Sequence, residues 1–424
     1  MLRLVRLIVV GAPAAQAGAA LALLACPAVA QPVPPPQPAQ VAGPSVAPAA
    51  EPARSWTDGF RFAASVDSYF AVNYRLPVPP APGTTARAFD ANNGFQLAAV
   101  GLDVSHEPSP VGGTVQLRFS PYAAAAYAGF DNTTQLQFVK QAFGSWRPGG
   151  KDSAVTLEFG KFDTLYGAEV FDSWQNPTYT RGFLFWLGQP LFHVGARADW
   201  QLSRELDAKL MIVNGWSQNA DLNTGKSYGL QVNYARGDWL GLSLGWYGGP
   251  EQEDSVLYTG PDGVTARYRL PSNNERFRHL VDLVAKVAPS KAVSVTLNAD
   301  WGTESVLTDP VTHATKRMSW YGAMLATRCA LTDELAVALR GEAYADPQGY
   351  TFAGFKPAPN ADGTYPNYLF ETGTLTLEAL PTPNLVLRLD NRIDVANEAL
   401  FAARARDLEK TQVTTTLGVV VKTD

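Results

Sequence analysis

The feature that most constrains this sequence is a period of two. From Phe60 to Tyr74 the even positions read Phe60, Phe62, Ala64, Val66, Ser68, Phe70, Val72 and Tyr74; the odd ones include Arg61, Ser65, Asp67 and Asn73. Successive side chains of an extended chain point to opposite faces, so this segment reads as a strand with one apolar and one polar side. The pattern returns in Tyr228 to Tyr234, Leu240 to Trp246, Val293 to Trp301 and Leu335 to Ala343. Sixteen strands are predicted, centred on 60–74, 95–105, 114–120, 134–146, 154–162, 191–202, 206–216, 227–235, 239–247, 276–287, 292–301, 317–328, 334–343, 368–380, 385–395 and 411–422.

The connections alternate in length. Arg236-Gly237-Asp238, Pro289-Ser290-Lys291, Leu331-Thr332-Asp333 and Pro381 to Asn384 are short, whereas 75–94, 163–190, 248–275 and 344–367 are long and polar. Outer-membrane barrels have short periplasmic turns, long external loops and an even strand count. Counted from a periplasmic start, every short turn falls on the periplasmic side, and the last strand ends there too. The fold class is therefore all-β: a transmembrane antiparallel up-and-down barrel of about sixteen strands. No apolar run after residue 30 has the length of a spanning helix, but a barrel strand spends only every second residue on lipid.

Polar faces then become lumen walls. Arg388, Asp390, Arg392 and Asp394 share one face of the fifteenth strand, opposite Leu385, Leu387, Leu389 and Ile393. Four such charges are costly in a dry core and cheap beside water. The same logic assigns Arg61, Asp67, Glu158, Arg197, Asp199, Arg340 and Glu342 to the pore wall. Trp146, Trp200, Trp216, Trp239, Trp246, Trp301 and Trp320 lie near strand ends, as interfacial girdles do.

The long segment 163–190 carries Asp163, Glu169 and Asp172, then Trp174, Tyr179 and Arg181. It is too aromatic for a free external loop. Thr164 to Trp174 suggests a short helix with Asp163 as N-cap. A loop of this size folded into the lumen forms a constriction, with its acids facing basic wall groups such as Arg388 and Arg392 across a transverse field.

The ends have separate roles. Arg3 and Arg6, an apolar stretch and Ala28-Val29-Ala30 read as a signal peptide over 1–30, cleaved before Gln31. A rival reading takes Leu23 to Cys26 as a lipobox, with Cys26 lipidated. Residues 31–55 are Pro- and Ala-rich and read as a periplasmic linker; the barrel occupies 56–424. Without the leader, Cys329 is the one remaining cysteine and reads as a small strand residue. The formal charge is −5, or −7 once Arg3 and Arg6 are removed, so no basic nucleic-acid footprint exists.

Catalytic motifs are weak. Gly241 to Gly245 matches G-x-S-x-G, yet lies inside an alternating strand, whereas a nucleophile elbow needs a sharp turn. The reading for its glycines is close packing or room in the lumen. His106, His193, His279 and His313 are scattered without metal-ligand spacing, and no metal, cofactor or catalytic residue is expected.

The segment around the long loop resembles a known family. Leu157 to Thr164, Gly167 to Val170, Asn176 to Arg181 and Val213 to Trp216, with Asp67 to Phe70, Arg87 to Asp90 and Leu387 to Asp394, look like the OmpL-like β-barrel outer-membrane porins. The resemblance covers most of 58–422 and implies a pore with no catalytic residues. The chain departs from the usual terminal aromatic residue, ending Val419 to Asp424. The expected function is passive diffusion of small polar solutes and ions in the outer membrane. The alternatives are a lipase- or protease-like barrel using Ser243 and His193, or a structural barrel tethering membrane to wall. Expected partners are outer-membrane lipid and lipopolysaccharide, the permeating solutes and the barrel-assembly machinery. Peptidoglycan contact through 31–55 and a homo-oligomer stay open.

Overall fold

Sixteen strands pair edge to edge until the last returns to the first. The computed structural model describes residues 59–77, 84, 86, 87, 89–122, 136–259, 263–270, 276–309, 311–354, 366–404 and 407–423. The leader and the 31–55 segment lie outside them. The first half of the barrel is β1 (Phe60–Asn73), β2 (Gly94–His106), β3 (Val111–Phe119), β4 (Val139–Trp146), β5 (Val155–Asp163), β6 (Phe192–Gln201), β7 (Leu206–Val213), β8 (Ser227–Arg236) and β9 (Leu240–Pro250). A small ribbon of β10 (Ser255–Thr259) and β11 (Thr265–Arg269) stands apart from the wall. The barrel resumes with β12 (Phe277–Ser290), β13 (Val293–Asp309), β14 (Ala314–Ala330), β15 (Leu335–Asp346), β16 (Tyr368–Thr382) and β17 (Leu385–Ala396). A second ribbon, β18 (Phe401–Ala402) with β19 (Leu408–Glu409), precedes the closing strand β20 (Thr411–Lys422). Each barrel strand pairs antiparallel with its neighbours, and β20 closes on β1 with Ser65 opposite Lys422 and Asn73 opposite Thr414.

Closure removes every free edge of the barrel sheet. Burial is inverted relative to a water-soluble protein. On β17 Asp394 is fully buried while its neighbour Ile393 is 46% exposed; on β2 Phe95 is 86% exposed. An outward apolar belt and an inward polar wall are what a lipid-embedded, water-containing barrel requires.

Five tryptophans fit the girdle expectation. Trp146, Trp200 and Trp239 are exposed at the short-turn end, and Trp246 and Trp301 flank Val281 on the outer face nearer the long loops. Trp216 and Trp320 do not. Trp320 is 1% exposed, meets Trp216 edge to face, and donates its indole N–H to Gly188 O at 3.0 Å. Strand-end position in the sequence does not reveal which face a side chain takes once the ladder passes into a loop.

The expected helix over Thr164 to Trp174 does not form. Asp163 is the last residue of β5, and the only helical turns of the segment are short, at Ser173–Gln175 and Leu184–Gly188. The side chains that would have formed a helix face are spent on contacts with the barrel wall instead.

Candidate functional site

The segment between β5 and β6 makes its contacts on the inner face of the wall, on strands far from its own. Glu169 Oε1 accepts from Arg340 Nη1 on β15 at 2.6 Å, and its other oxygen accepts from Gly182 N at 2.8 Å. Asp172 accepts from Arg118 on β3 through Nε at 2.7 Å and Nη2 at 3.0 Å, with Lys140 on β4 at 3.6 Å. Burial alone would raise the Asp172 carboxyl, but Lys140 and Arg118 outweigh it and hold it below its ordinary value. Asp67 on β1 accepts from Ser173 Oγ at 2.6 Å and Tyr179 OH at 2.7 Å. Asp390 on β17 accepts from the backbone N–H groups of Tyr179 and Thr180 and from the Thr180 hydroxyl. The segment is irregular backbone with many polar groups, and these wall residues satisfy them.

Two glycine-lined recesses receive its tyrosines. A Cβ on Gly245 would stand 2.7 Å from the Tyr166 ring, and one on Gly418 would overlap the Tyr179 ring. Gly245 of the G-x-S-x-G match thus makes room in the lumen, and Tyr166 reaches past it to donate to Trp246 O at 2.7 Å.

Several sequence-predicted residues take a different role from the one expected. Arg388 and Arg392 do not face the loop acids across open water. Arg388 Nη1 donates to Ser173 O at 2.5 Å and its Nε to Glu378; Arg392 Nη1 donates to Arg181 O at 2.6 Å and its Nε to Asp394. With Asp67, Arg340, Glu342, Asp390 and Asp394 they are buried beneath the segment. Glu342 accepts from Leu184 N at 2.5 Å. Arg181 turns inward onto the loop's own carbonyls, Tyr179 O and Phe171 O, and stacks 4.6 Å from the Phe89 ring. Asp163 is paired with Lys140 at 2.5 Å. Arg61 sits at the short-turn rim, three-quarters exposed and paired with Glu107, because β1 begins there.

The remaining predicted wall residues keep partial exposure. Glu158 pairs with Arg197 across β5 and β6, and Asp199 with Lys209 across β6 and β7. His193 is fully buried: Nε2 meets Thr164 Oγ1 at 3.2 Å and Nδ1 meets Gly215 O at 3.1 Å. With both nitrogens engaged there, it makes no hydrogen bond to Ser243, which sits in the middle of β9.

Sequence reasoning missed a second inward segment. Arg87 donates to Asp394 at 3.2 Å and Thr414 at 3.0 Å and pairs with Asp90, while Phe89 packs on Phe171, Phe185 and Trp186. The signal was an aromatic residue between opposite charges in a loop. Lys140 was missed because β4 alternates poorly, whereas Arg118 stands with Thr114 and Gln116 on the clean polar face of β3, a signal that could have found it.

The segment thus has its charged contacts on the β15–β17–β1–β3 side, and uncharged ones that reach β9 and β13. Two cavities flank it: one of about 900 Å³ toward the long loops, one of about 690 Å³ toward the short turns. They share no lining residue. Between them Asn298 on β13 accepts from Ala168 N at 3.1 Å and Gln189 Nε2 at 2.9 Å, so a polar layer of loop and wall separates the two.

Closed sixteen-stranded sheet, inverted burial and a charged, segment-lined lumen define an outer-membrane barrel of the porin type. The chain belongs to the family described as "Putative beta-barrel porin-2, OmpL-like", which matches residues 59–422. Among curated proteins no sequence matches it. Solved structures do. A loop-deletion mutant of OmpT, an outer membrane protein of Vibrio cholerae, superposes with TM-score 0.53 at 9% identity, covering 86% of this chain and 99% of that one. The outer membrane channel DcaP of Acinetobacter baumannii gives 0.53 at 10% identity, over 86% and 97%. An anion-selective porin from Comamonas acidovorans gives 0.51 at 12% identity, over 86% and 99%. At such identities the likeness is one of fold.

Proposed function

We propose that this porin passes small polar solutes and ions by passive diffusion, through a lumen narrowed by the 164–191 segment. The observation that carries the reading is the fastening of that segment to β1, β3, β15 and β17 by buried carboxylates and guanidiniums. The charged fastening lies on that side, while contacts from Tyr166, Ala168 and Gln189 reach β9 and β13, and the wall at β5–β7 keeps partly exposed charge. There the half-buried pairs Glu158–Arg197 and Asp199–Lys209 present both signs of charge to water. Mixed charge on a wet wall favours polar solutes over apolar ones and discriminates weakly among them. A hydrolase reading has less support, since Ser243 is in a regular strand and His193 is bonded elsewhere.

In this reading the short turns and both chain ends face the periplasm, after export through the leader at 1–30. The test is single-channel recording in planar bilayers on purified, heat-modifiable protein. Stepwise conductance and solute flux are the expected result; a folded, inserted barrel that conducts nothing overturns it.

A further inference from the structure

The cavity of about 900 Å³ toward the long loops has a chemistry of its own. Its volume lies in the range of small-molecule sites. Four aromatic side chains line it: Trp186, Trp216, Trp320 and Tyr350. Its polar groups are fixed before any solute arrives. Glu251 accepts from Ser227 Oγ at 2.6 Å, Tyr247 OH at 2.5 Å and Trp216 N at 2.7 Å. Gln252 donates to Glu304 at 3.1 Å and Ser305 O at 2.8 Å, and accepts from Leu307 N and Arg276 Nη1. Arg278 donates to Glu304 at 2.7 Å and to the Tyr350 hydroxyl at 3.0 Å, with its guanidinium 4.8 Å from the Trp216 ring.

Charge in the cavity is balanced. Arg267, Arg276 and Arg278 line it with Glu251 and Glu253, and Glu304 lies behind Arg278. A carboxylate entering would meet Glu251 and Glu253 beside the three guanidiniums, and a cation the three guanidiniums beside those two acids, so each sign finds repulsion as well as attraction. A neutral solute meets neither penalty. Indole and phenol faces suit aliphatic C–H surfaces, and fixed carboxylate, amide and guanidinium groups suit paired hydroxyls. A neutral molecule carrying both surfaces is a sugar ring.

We propose that this cavity is a saccharide-binding vestibule, with Trp186 as the stacking surface and Glu251 and Arg276 as hydroxyl partners. The proposal rests on the channel reading for its purpose but is testable without it. Isothermal titration of the purified full chain with maltotriose is expected to give saturable binding, while polyethylene glycol of equal mass and sodium benzoate give none. Trp186→Ala weakens binding about tenfold, and Trp186→Phe retains most of it. Arg276→Ala, a loop change outside the barrel ladder, also weakens binding and serves if Trp186→Ala loses heat-modifiable migration. Folded protein silent to maltotriose, or binding benzoate instead, overturns the site. Bilayer recording on the same preparation separates the two readings. A conducting barrel silent to maltotriose keeps the channel and loses the site. A non-conducting barrel that binds maltotriose through Trp186 keeps the site and loses the channel.

Discussion

The Tyr179 hydroxyl donates to Asp67 Oδ1 at 2.7 Å, joining the 164–191 segment to the first strand of the barrel. Ser173 Oγ takes the other carboxylate oxygen at 2.6 Å. A hydrogen bond to a charged group contributes about 1.5–3 kcal/mol. Tyr179→Phe is therefore expected to loosen the segment without unfolding the barrel. Single-channel traces should become noisier, with a wider spread of conductance levels, and protease should cut the segment sooner. Traces and cleavage rates identical to the parent would mean the contact holds nothing.

Arg340 and Glu169 make a sharper test, because both are almost wholly buried at 2.6 Å separation. Breaking such a pair from one side strands a charge and costs about 3–5 kcal/mol, whereas replacing both with apolar groups is often neutral. Glu169→Met alone should lower the temperature at which the barrel loses its heat-modifiable form. Adding Arg340→Met should recover much of that loss. Two additive losses would indicate that the partners act independently.

The barrel was legible in the sequence and the pairing inside it was not. Alternation alone located β17, since Arg388, Asp390, Arg392 and Asp394 kept one parity and Leu387, Leu389 and Ile393 the other. Parity says which face a residue takes, but not what lies above that face. Arg388 and Arg392 read as open wall and are covered by the segment's backbone carbonyls. Trp320 read as girdle and is buried against Gly188. Each miss depends on a contact between residues over a hundred positions apart, which no local pattern encodes. The polar and aromatic content of 163–190 showed that the segment was unusual; the identity of its partners required the closed sheet.

Gly418 on β20 faces the Tyr179 ring so closely that a Cβ there would overlap it. The ring must move or the strand must bend, and overpacking of this kind costs about 1–3 kcal/mol. Gly418→Ala is expected to reproduce the noisy conductance of Tyr179→Phe although it removes no hydrogen bond. Gly373→Ala on β16 is the control, since its Cβ would meet only Ile393 Cγ2 at 3.7 Å. Equal behaviour of the two alanine variants would discount the steric account.

Acid should release the segment. The Asp172 carboxyl is held below its ordinary value of 3.8, with Lys140 and Arg118 outweighing the effect of burial. A depressed carboxyl contributes its full stabilisation above the ordinary value and loses it as pH falls through the lowered one. The hold that Asp172 exerts on the segment should therefore be steady from neutral pH down to about 4, and be lost only below that. Asp172→Asn should show noisy conductance already at neutral pH. A transition near pH 6 in the parent would point to some other group.

Ion selectivity tests whether the segment's acids are felt by permeating ions. Asp163 is paired with Lys140, Glu169 with Arg340, and Asp172 with Arg118 and Lys140. Replacing the three acids by Asn, Gln and Asn removes three negative charges and takes the ion-pair partners from Lys140 and Arg340, while Arg118 keeps Asp103. Those cations stay on the wall strands β3, β4 and β15, so the lumen gains net positive charge beside the segment. The reversal potential in a KCl gradient should move toward that of chloride. The shift should grow as salt is lowered, since the screening length is about 10 Å at 0.1 M and about 30 Å at 0.01 M. Asp394→Asn is the contrast. Asp394 is fully buried between Arg87 and Arg392, and its loss should disturb selectivity less than the triple change. An unchanged reversal potential for the triple variant at low salt would place the ion path out of reach of the segment and refute the constriction.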